Sequence, residues 1–329
     1  MPAEWQEHSQ TWMAWPSSGY TLGDTDADMH AARKTWASVA NAIVRFEPVT
    51  MLCEKADLKI AKDYLDESVV LIEAKLNDAW MRDIGPTFVK DAAGKLAGVD
   101  WIFNGWGAQP WASWDKDEKI AEQISVLAGV PNLKSTLINE GGGIHVDGAG
   151  HVLLTETVQL GEGRNAGLSK QAVEAEIHAK LGTSQAIWLK RGLTRDYDEF
   201  GTRGHVDIVA CFAPGGKILV HVQENPEHPD YEVSKEVLAT LAEYPQFTLM
   251  PIAAPKTLRD EQGFVDYSYI NHYVINGAVI LCAFDDENDE RAAQALQQVY
   301  PDREIVLVDA RELFARGGGI HCITQQQPS

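Results

Sequence analysis

The chain has 329 residues, 45% of them hydrophobic and 23% charged, the composition of an ordinary globular protein with ample material for a core. Lys plus Arg number 28 and Asp plus Glu 48, for a net charge of −20. That balance argues against nucleic acid as a partner, because phosphate binding needs clustered cations, and it favours a small cation by long-range attraction, beside its plainer role in solubility.

The predicted elements alternate from end to end. Met1 to His8 carries acid where a signal peptide needs base, and no run approaches the ~20 apolar residues of a membrane helix. A soluble, cytoplasmic protein with no membrane partner is expected. Apolar residues at Ala32, Trp36, Val39, Ile43 and Phe46 predict a helix over 28–46. A strand over 49–53, a short helix over 56–66 and a strand over 69–73 follow. A strand over 98–103, an acid-led helix over 115–127, and strands over 132–138 and 151–155 come next. Ser169 caps a helix that ends at Leu181-Gly182. Strands over 186–189, 206–212 and 218–223, a helix over 231–243 and a strand over 248–252 continue the pattern. Asn276-Gly277 is a hairpin turn signal between strands over 267–275 and 278–283. A helix over 288–299 and a strand over 304–308 complete it. The unit is strand, strand, helix, strand, repeated about five times. Neither a Walker A sequence nor a G-x-G-x-x-G loop is present. Modules set radially around one centre fit this α/β order better than a doubly wound sheet, and one domain over 1–329 is expected although length alone would allow two.

Four cysteines occur without a C-x-x-C pair, which makes a zinc site or redox dithiol a poor reading. Cys53, Cys211 and Cys282 lie in apolar runs and read as small buried hydrophobes. Cys322 differs. It follows Gly317-Gly318-Gly319-Ile320-His321, a setting that can hold a thiol at the mouth of a pocket. The same five letters recur at Gly141-Gly142-Gly143-Ile144-His145, behind Glu140, and suggest pseudo-symmetric modules. Triple glycine allows backbone angles barred to other residues and close approach to a ligand.

Three further places concentrate polar groups. Asn77-Asp78-Ala79-Trp80-Met81-Arg82-Asp83 holds two carboxylates, an arginine and a tryptophan. Asn139-Glu140-Gly141 is the second. Gly204-His205-Val206-Asp207 is the third, where strand spacing would put both side chains on one face. Taken singly, each has an inert reading: His205 and Asp207 as a satisfied pair or metal-ligand fragment, Glu140 as a turn acid, Trp80 as core. Together they pair a thiol and an imidazole, the minimum for nucleophilic catalysis, with several carboxylates. Carboxylates oppose a developing oxyanion, so acyl chemistry is disfavoured. They grip a planar guanidinium well, which points to attack on a guanidine carbon.

On these segments the chain resembles the agmatine deiminase family, also called the Porphyromonas-type peptidylarginine deiminase family, among the guanidino-group-modifying enzymes. The resemblance spans nearly the whole length. It includes Met1 to Glu4, Thr11 to Pro16, Asn77 to Pro86, Phe103 to Gly107, Glu140 to Gly148, Gly204 to Asp207, Ser268 to Asn271 and Gly317 to Gln326. It implies a five-bladed α/β propeller, the pentein fold. It implies Cys322 as nucleophile, His205 as general acid/base, Asp83 and Asp207 as guanidinium ligands and Glu140 as a further acid near the histidine. It also implies hydrolysis of agmatine to N-carbamoylputrescine and ammonia in polyamine metabolism, with no metal or organic cofactor. Trp80 could pack on the substrate's alkyl chain.

Two positions depart from the family pattern: Gly143, commonly Ser or Asn, and Arg203, often an acid or amide. If Arg203 faces the pocket, it would repel the amine of agmatine and receive a carboxylate, as in free, C-terminal or peptidyl arginine. Deimination of such a guanidine is the second reading, and a binding protein that kept the pocket but lost turnover is the third. A homo-oligomer is left open.

Overall fold

Strands and helices follow one another in a repeated order. The computed structural model describes residues 1–329. Thr87–Lys90 runs antiparallel to Leu96–Ile102, a helix over Ile120–Leu127 follows, and Asn132–Ile138 returns parallel to the middle strand. The order recurs with Ile144–Val146, His151–Thr155, helix Lys170–Leu181 and Gln185–Leu189. It recurs with Ala210–Ala213, Lys217–Val222, helix Asp230–Leu241 and Thr248–Ala253. It recurs again with Tyr273–Ile275, Ala278–Ala283, helix Asp289–Val299 and Glu304–Asp309. The remaining sheet is assembled from both parts of the chain. Gln325–Pro328 pairs antiparallel with His8–Ala14, the helix Asp26–Ile43 follows, and Val49–Cys53 and then Val70–Glu73 add in parallel. The expected α/β order is therefore present in five sheets. No helix is long and apolar enough to cross a membrane.

Local chemistry explains the element ends. Thr25 Oγ1 accepts from the Asp28 amide at 3.1 Å while Asp28 accepts from the Thr25 amide at 3.3 Å, a reciprocal cap that starts the long helix. That helix buries Ala32, Trp36, Val39 and Ile43, and Trp36 Nε1 donates to the Ala79 carbonyl at 3.3 Å. Ser169 caps its helix through the Ala172 amide, and Gly182 ends it at φ 70°, both as expected. Gly277 takes φ 71° in the Asn276-Gly277 hairpin. Val49–Cys53 and Ala278–Cys282 are buried on both faces, so they read as apolar runs broken only by Thr50.

Some expectations fail for local reasons. The helix expected over 56–66 is only Leu58–Ala61. Six strands carry no apolar alternation long enough to announce them: His8–Ala14, Thr87–Lys90, Ile144–Val146, Arg259–Asp260, Gly263–Phe264 and Gln325–Pro328. The strand expected over 206–212 begins only at Ala210. Val206–Ile208 is a 3-10 turn, so the one-face argument for His205 and Asp207 does not hold.

That turn is one of five. A single helical turn precedes the first strand of each sheet: Met81–Ile84, Gly141–Gly143, Val206–Ile208, Tyr269–Asn271 and His321–Ile323. The first touches the second and the last, the second touches the third, and the third touches the fourth. Asn271 closes the circuit by accepting from the His321 amide at 3.0 Å. Segments 52 to 65 residues apart in sequence thus deliver their side chains to one place.

Candidate active site

The thiol of Cys322 lies on the last of these turns, beside Asn271 and Asp207. Asn271 Nδ2 donates to Sγ at 3.4 Å, Asn271 Oδ1 lies 3.5 Å from Sγ, and Asp207 Oδ2 lies 3.7 Å from it. Cys322 is 6% exposed, so the thiol is enclosed rather than set at a mouth. Burial pushes its pKa well above the ordinary thiol value, and Asp207 and Asp83 add to the shift. Cys53, Cys211 and Cys282 are buried and unpaired, as expected of small hydrophobes.

His205 occupies the opposite part of the site. Its Nε2 lies 3.3 Å from Glu140 Oε2 and its Nδ1 3.9 Å from Asp83 Oδ1. Burial alone would lower its pKa; Asp83 and Glu140 outweigh burial and lift it to about 9. Glu140 has no exposed surface. Arg164 Nε donates to both of its carboxylate oxygens at 3.0 Å, and Arg164 Nη2 donates to the Thr202 carbonyl at 2.8 Å. Burial disfavours the Glu140 charge, but Arg164 and His205 more than offset that and hold the carboxyl below its ordinary range. Asp83 accepts from Trp106 Nε1 at 2.8 Å and from the Gly142 amide at 3.0 Å. Burial raises its pKa, against the pull of His205. Cys322 and His205 share no hydrogen bond; the thiol meets Asn271 and Asp207, and the imidazole meets Glu140 and Asp83.

Asp207 is held from behind. His321 Nδ1 donates to Oδ2 at 2.8 Å, and Oδ1 is buried without a partner. Burial works against the Asp207 charge, but His321 wins and its pKa is lowered. His321 Nε2 meets Glu4 Oε2 at 2.8 Å. Glu4, His145 and His321 place donor atoms within 4.8 Å of one another, which invites a metal reading. Their protons oppose it. The Phe212 amide donates to His145 Nδ1 at 3.2 Å, which leaves the proton of a neutral ring on Nε2. Both nitrogens of His321 face carboxylates and must donate. Burial drives the His145 pKa down to about 3, so this ring stays neutral.

The glycine runs serve by lacking a side chain. Gly317 alone among the six takes a positive φ, 103°. A Cβ on Gly142 would stand 2.4 Å from His205 Nδ1 and 3.1 Å from Asp207 Oδ2. One on Gly318 would stand 2.7 Å from Trp80 Cζ3 and 3.1 Å from Cys322 Sγ. The repeated letters do not occupy equivalent places: the first run forms the turn and the second precedes it. Their two histidines nevertheless meet, with ring centroids 6.2 Å apart.

The model of the Porphyromonas-type peptidyl-arginine deiminase family matches residues 1–328. The chain belongs to that family. A Streptomyces coelicolor protein is 56% identical over 334 residues, covering 100% of this chain and 98% of its own. The agmatine deiminase of Stutzerimonas stutzeri is 37% identical, covering 100% and 95%. The solved agmatine deiminase of Enterococcus faecalis superposes with a TM-score of 0.91 at 32% identity, covering 100% and 95%.

Of the residues that the sequence put forward in this family member, Cys322, His205, Asp83, Asp207 and Glu140 converge. Trp80 lies against the same centre, buried, with Nε1 donating to Thr21 Oγ1 at 3.2 Å. Arg203 is different. Its guanidinium donates to the Tyr197 carbonyl and to Gln109 Oε1, and no carboxylate pairs with it. Sequence reasoning missed Asn271, Arg164, His321 and Glu4. Asn271 had a signal: four of the five turns already carried a polar candidate, and the fifth lay in Ser268 to Asn271. Arg164 had none, since it comes from an irregular loop.

Proposed function

We propose that this chain hydrolyses the guanidino group of a small cation, with agmatine as first substrate and N-carbamoylputrescine and ammonia as products. One observation carries the reading: a buried thiol 3.7 Å from a carboxylate whose other oxygen is unpartnered, in a site that also holds an imidazole between two acids. Named agmatine deiminases among the relatives support it, one of them solved as a C. jejuni cysteine-to-serine form with substrate bound.

The chemistry follows from the charges. A guanidinium enters between Asp83 and Asp207, and its positive charge offsets the burial and the acids that keep Cys322 protonated, so that the thiol proton is released to solvent. The thiolate attacks the central carbon. His205, protonated at neutral pH, gives its proton to the departing nitrogen, and ammonia leaves. A thiouronium remains on Cys322. His205 then takes one proton from water, which attacks the same carbon; the second water proton goes to the departing sulfur, which restores the thiol and leaves the ureido product. The steps balance with water as the only co-reactant, and no metal or organic cofactor enters them. Trp80 would flank the alkyl chain.

The architecture we propose is a five-bladed α/β propeller, one catalytic domain over 1–329 whose five turns line a common axis. Four free cysteines suit a reducing compartment such as the cytoplasm. The rival substrate class, a carboxylate-bearing guanidine received by Arg203, has against it that this guanidinium is already committed to Gln109 and Tyr197. A colorimetric ureido assay with ammonia detection across agmatine, arginine and arginyl peptides tests the reading, with Cys322→Ser as control. Preference for agmatine that persists in Arg203→Ala supports it. Strong preference for arginine, lost in that variant, replaces it with the rival, and ureido product without ammonia excludes the mechanism.

A further inference from the structure

We propose that Glu4 is a positioning residue for the guanidine site: through His321 it fixes both the orientation and the charge of Asp207. The inference rests on the reading of Asp207 as a guanidinium ligand. Asp207 has one oxygen bound by His321 Nδ1 and the other free, so His321 decides which oxygen faces substrate. The far nitrogen of His321 meets Glu4 Oε2 at 2.8 Å. A carboxylate can only accept, so a ring held between two of them keeps both protons and stands as a cation. Glu4 is itself anchored: Oε1 accepts from the Val274 amide at 2.9 Å, and Arg82 lies 3.6 Å from Oε2.

The other charged or titratable groups around this relay are few. Arg82, His145 and His272 face His321; His205, Arg82, Asp83 and the thiols of Cys322, Cys211 and Cys282 face Asp207. Arg82 opposes the His321 charge, and His145 is neutral, so Glu4 and Asp207 are what retain the second proton. Without Glu4 the ring can still donate through Nδ1, but it loses its charge. Asp207 then loses the one cation that hydrogen-bonds it, keeping only Arg82 and His205 at longer range, and takes up a proton at higher pH, where it can no longer grip a guanidinium.

The plain alternative is that Glu4 only staples the amino-terminal segment, and the test separates the two. Steady-state kinetics on agmatine from pH 5 to 10 are compared for wild type, Glu4→Gln and Glu4→Asp. Glu4→Gln should raise KM about tenfold or more at pH 7 with a smaller change in kcat, and move the acid limb of kcat/KM up by about one pH unit. Glu4→Asp should recover part of both. An acid limb at the wild-type midpoint in Glu4→Gln overturns the proposal, whatever the overall activity. Side-chain 15N spectra of wild-type protein, assigned with His321→Gln, do not depend on the variants folding as enzymes. They should show His321 protonated on both nitrogens at pH 7, and a neutral ring overturns the proposal. Asp207→Asn is the separate control: wild-type KM in that variant would refute the guanidinium-ligand reading itself.

Discussion

Replacing Gly142 with alanine puts a single methyl group into the centre of the site. The new carbon would lie 2.4 Å from His205 Nδ1, 3.0 Å from its Cε1 and 3.1 Å from Asp207 Oδ2. Ordinary contact is about 3.5 Å, so the imidazole must move by about 1 Å. It has little room. Glu140 lies 3.3 Å from its Nε2 and is clamped by Arg164, while the His205 amide is tied to Asp196 at 3.0 Å. Displacement of a reacting group by about 1 Å costs on the order of 100-fold in rate, and overpacking costs about 1–3 kcal/mol in stability. Gly142 does not occupy the left-handed region, so backbone strain adds nothing. The expected outcome is a fall of about 100-fold in kcat, measured by ureido product, with thermal unfolding confirming a folded protein. Gly143→Ala is the comparison. Its Cβ would meet Asn139 Oδ1 and Val158 Cγ1 at 3.1 Å, away from the thiol and imidazole, and kcat should stay within about threefold of wild type. A Gly142→Ala enzyme that also stays within about threefold would refute the packing argument.

Asn271→Asp keeps the shape but places a third carboxylate against Sγ, so kcat/KM at pH 7 should fall by about 100-fold, and unchanged kinetics would remove Asn271 from the site. Arg164→Met leaves the buried Glu140 charge with His205 as its one remaining partner, which should cost up to about 3 kcal/mol in denaturant unfolding. Adding Glu140→Gln should restore part of that stability without restoring activity. In free enzyme Cys322 is a neutral thiol at pH 7 because its pKa is raised, so alkylation by iodoacetamide should be slow there and climb as pH passes 9. A midpoint below 7 would contradict the burial argument. The raised pKa of His205 carries a stability consequence too. Its contribution is fully present below its unfolded pKa of about 6.5 and is lost as pH rises through about 9, so the chemical-denaturation midpoint should fall over that interval.

The sequence alone determined the alternation of elements, because periodicity, caps and turn residues act over a few positions. Ser169, Gly182 and Asn276-Gly277 behave as their chemistry dictates wherever the chain places them. The chemistry-bearing residues Cys322, His205, Asp83, Asp207 and Glu140 were legible as types, since a thiol, an imidazole and several acids suit only a narrow class of substrate. Six strands, among them Gln325–Pro328, were not, because a polar segment becomes a strand only when a partner such as His8–Ala14 accepts its backbone bonds. Tertiary structure also decided what each acid does. Glu140 is ionised by Arg164, 24 positions away, and Asp207 by His321, 114 positions away, while Glu4 reaches His321 across 317. Electrostatic partnership falls with distance in space, and spacing along the chain does not record it.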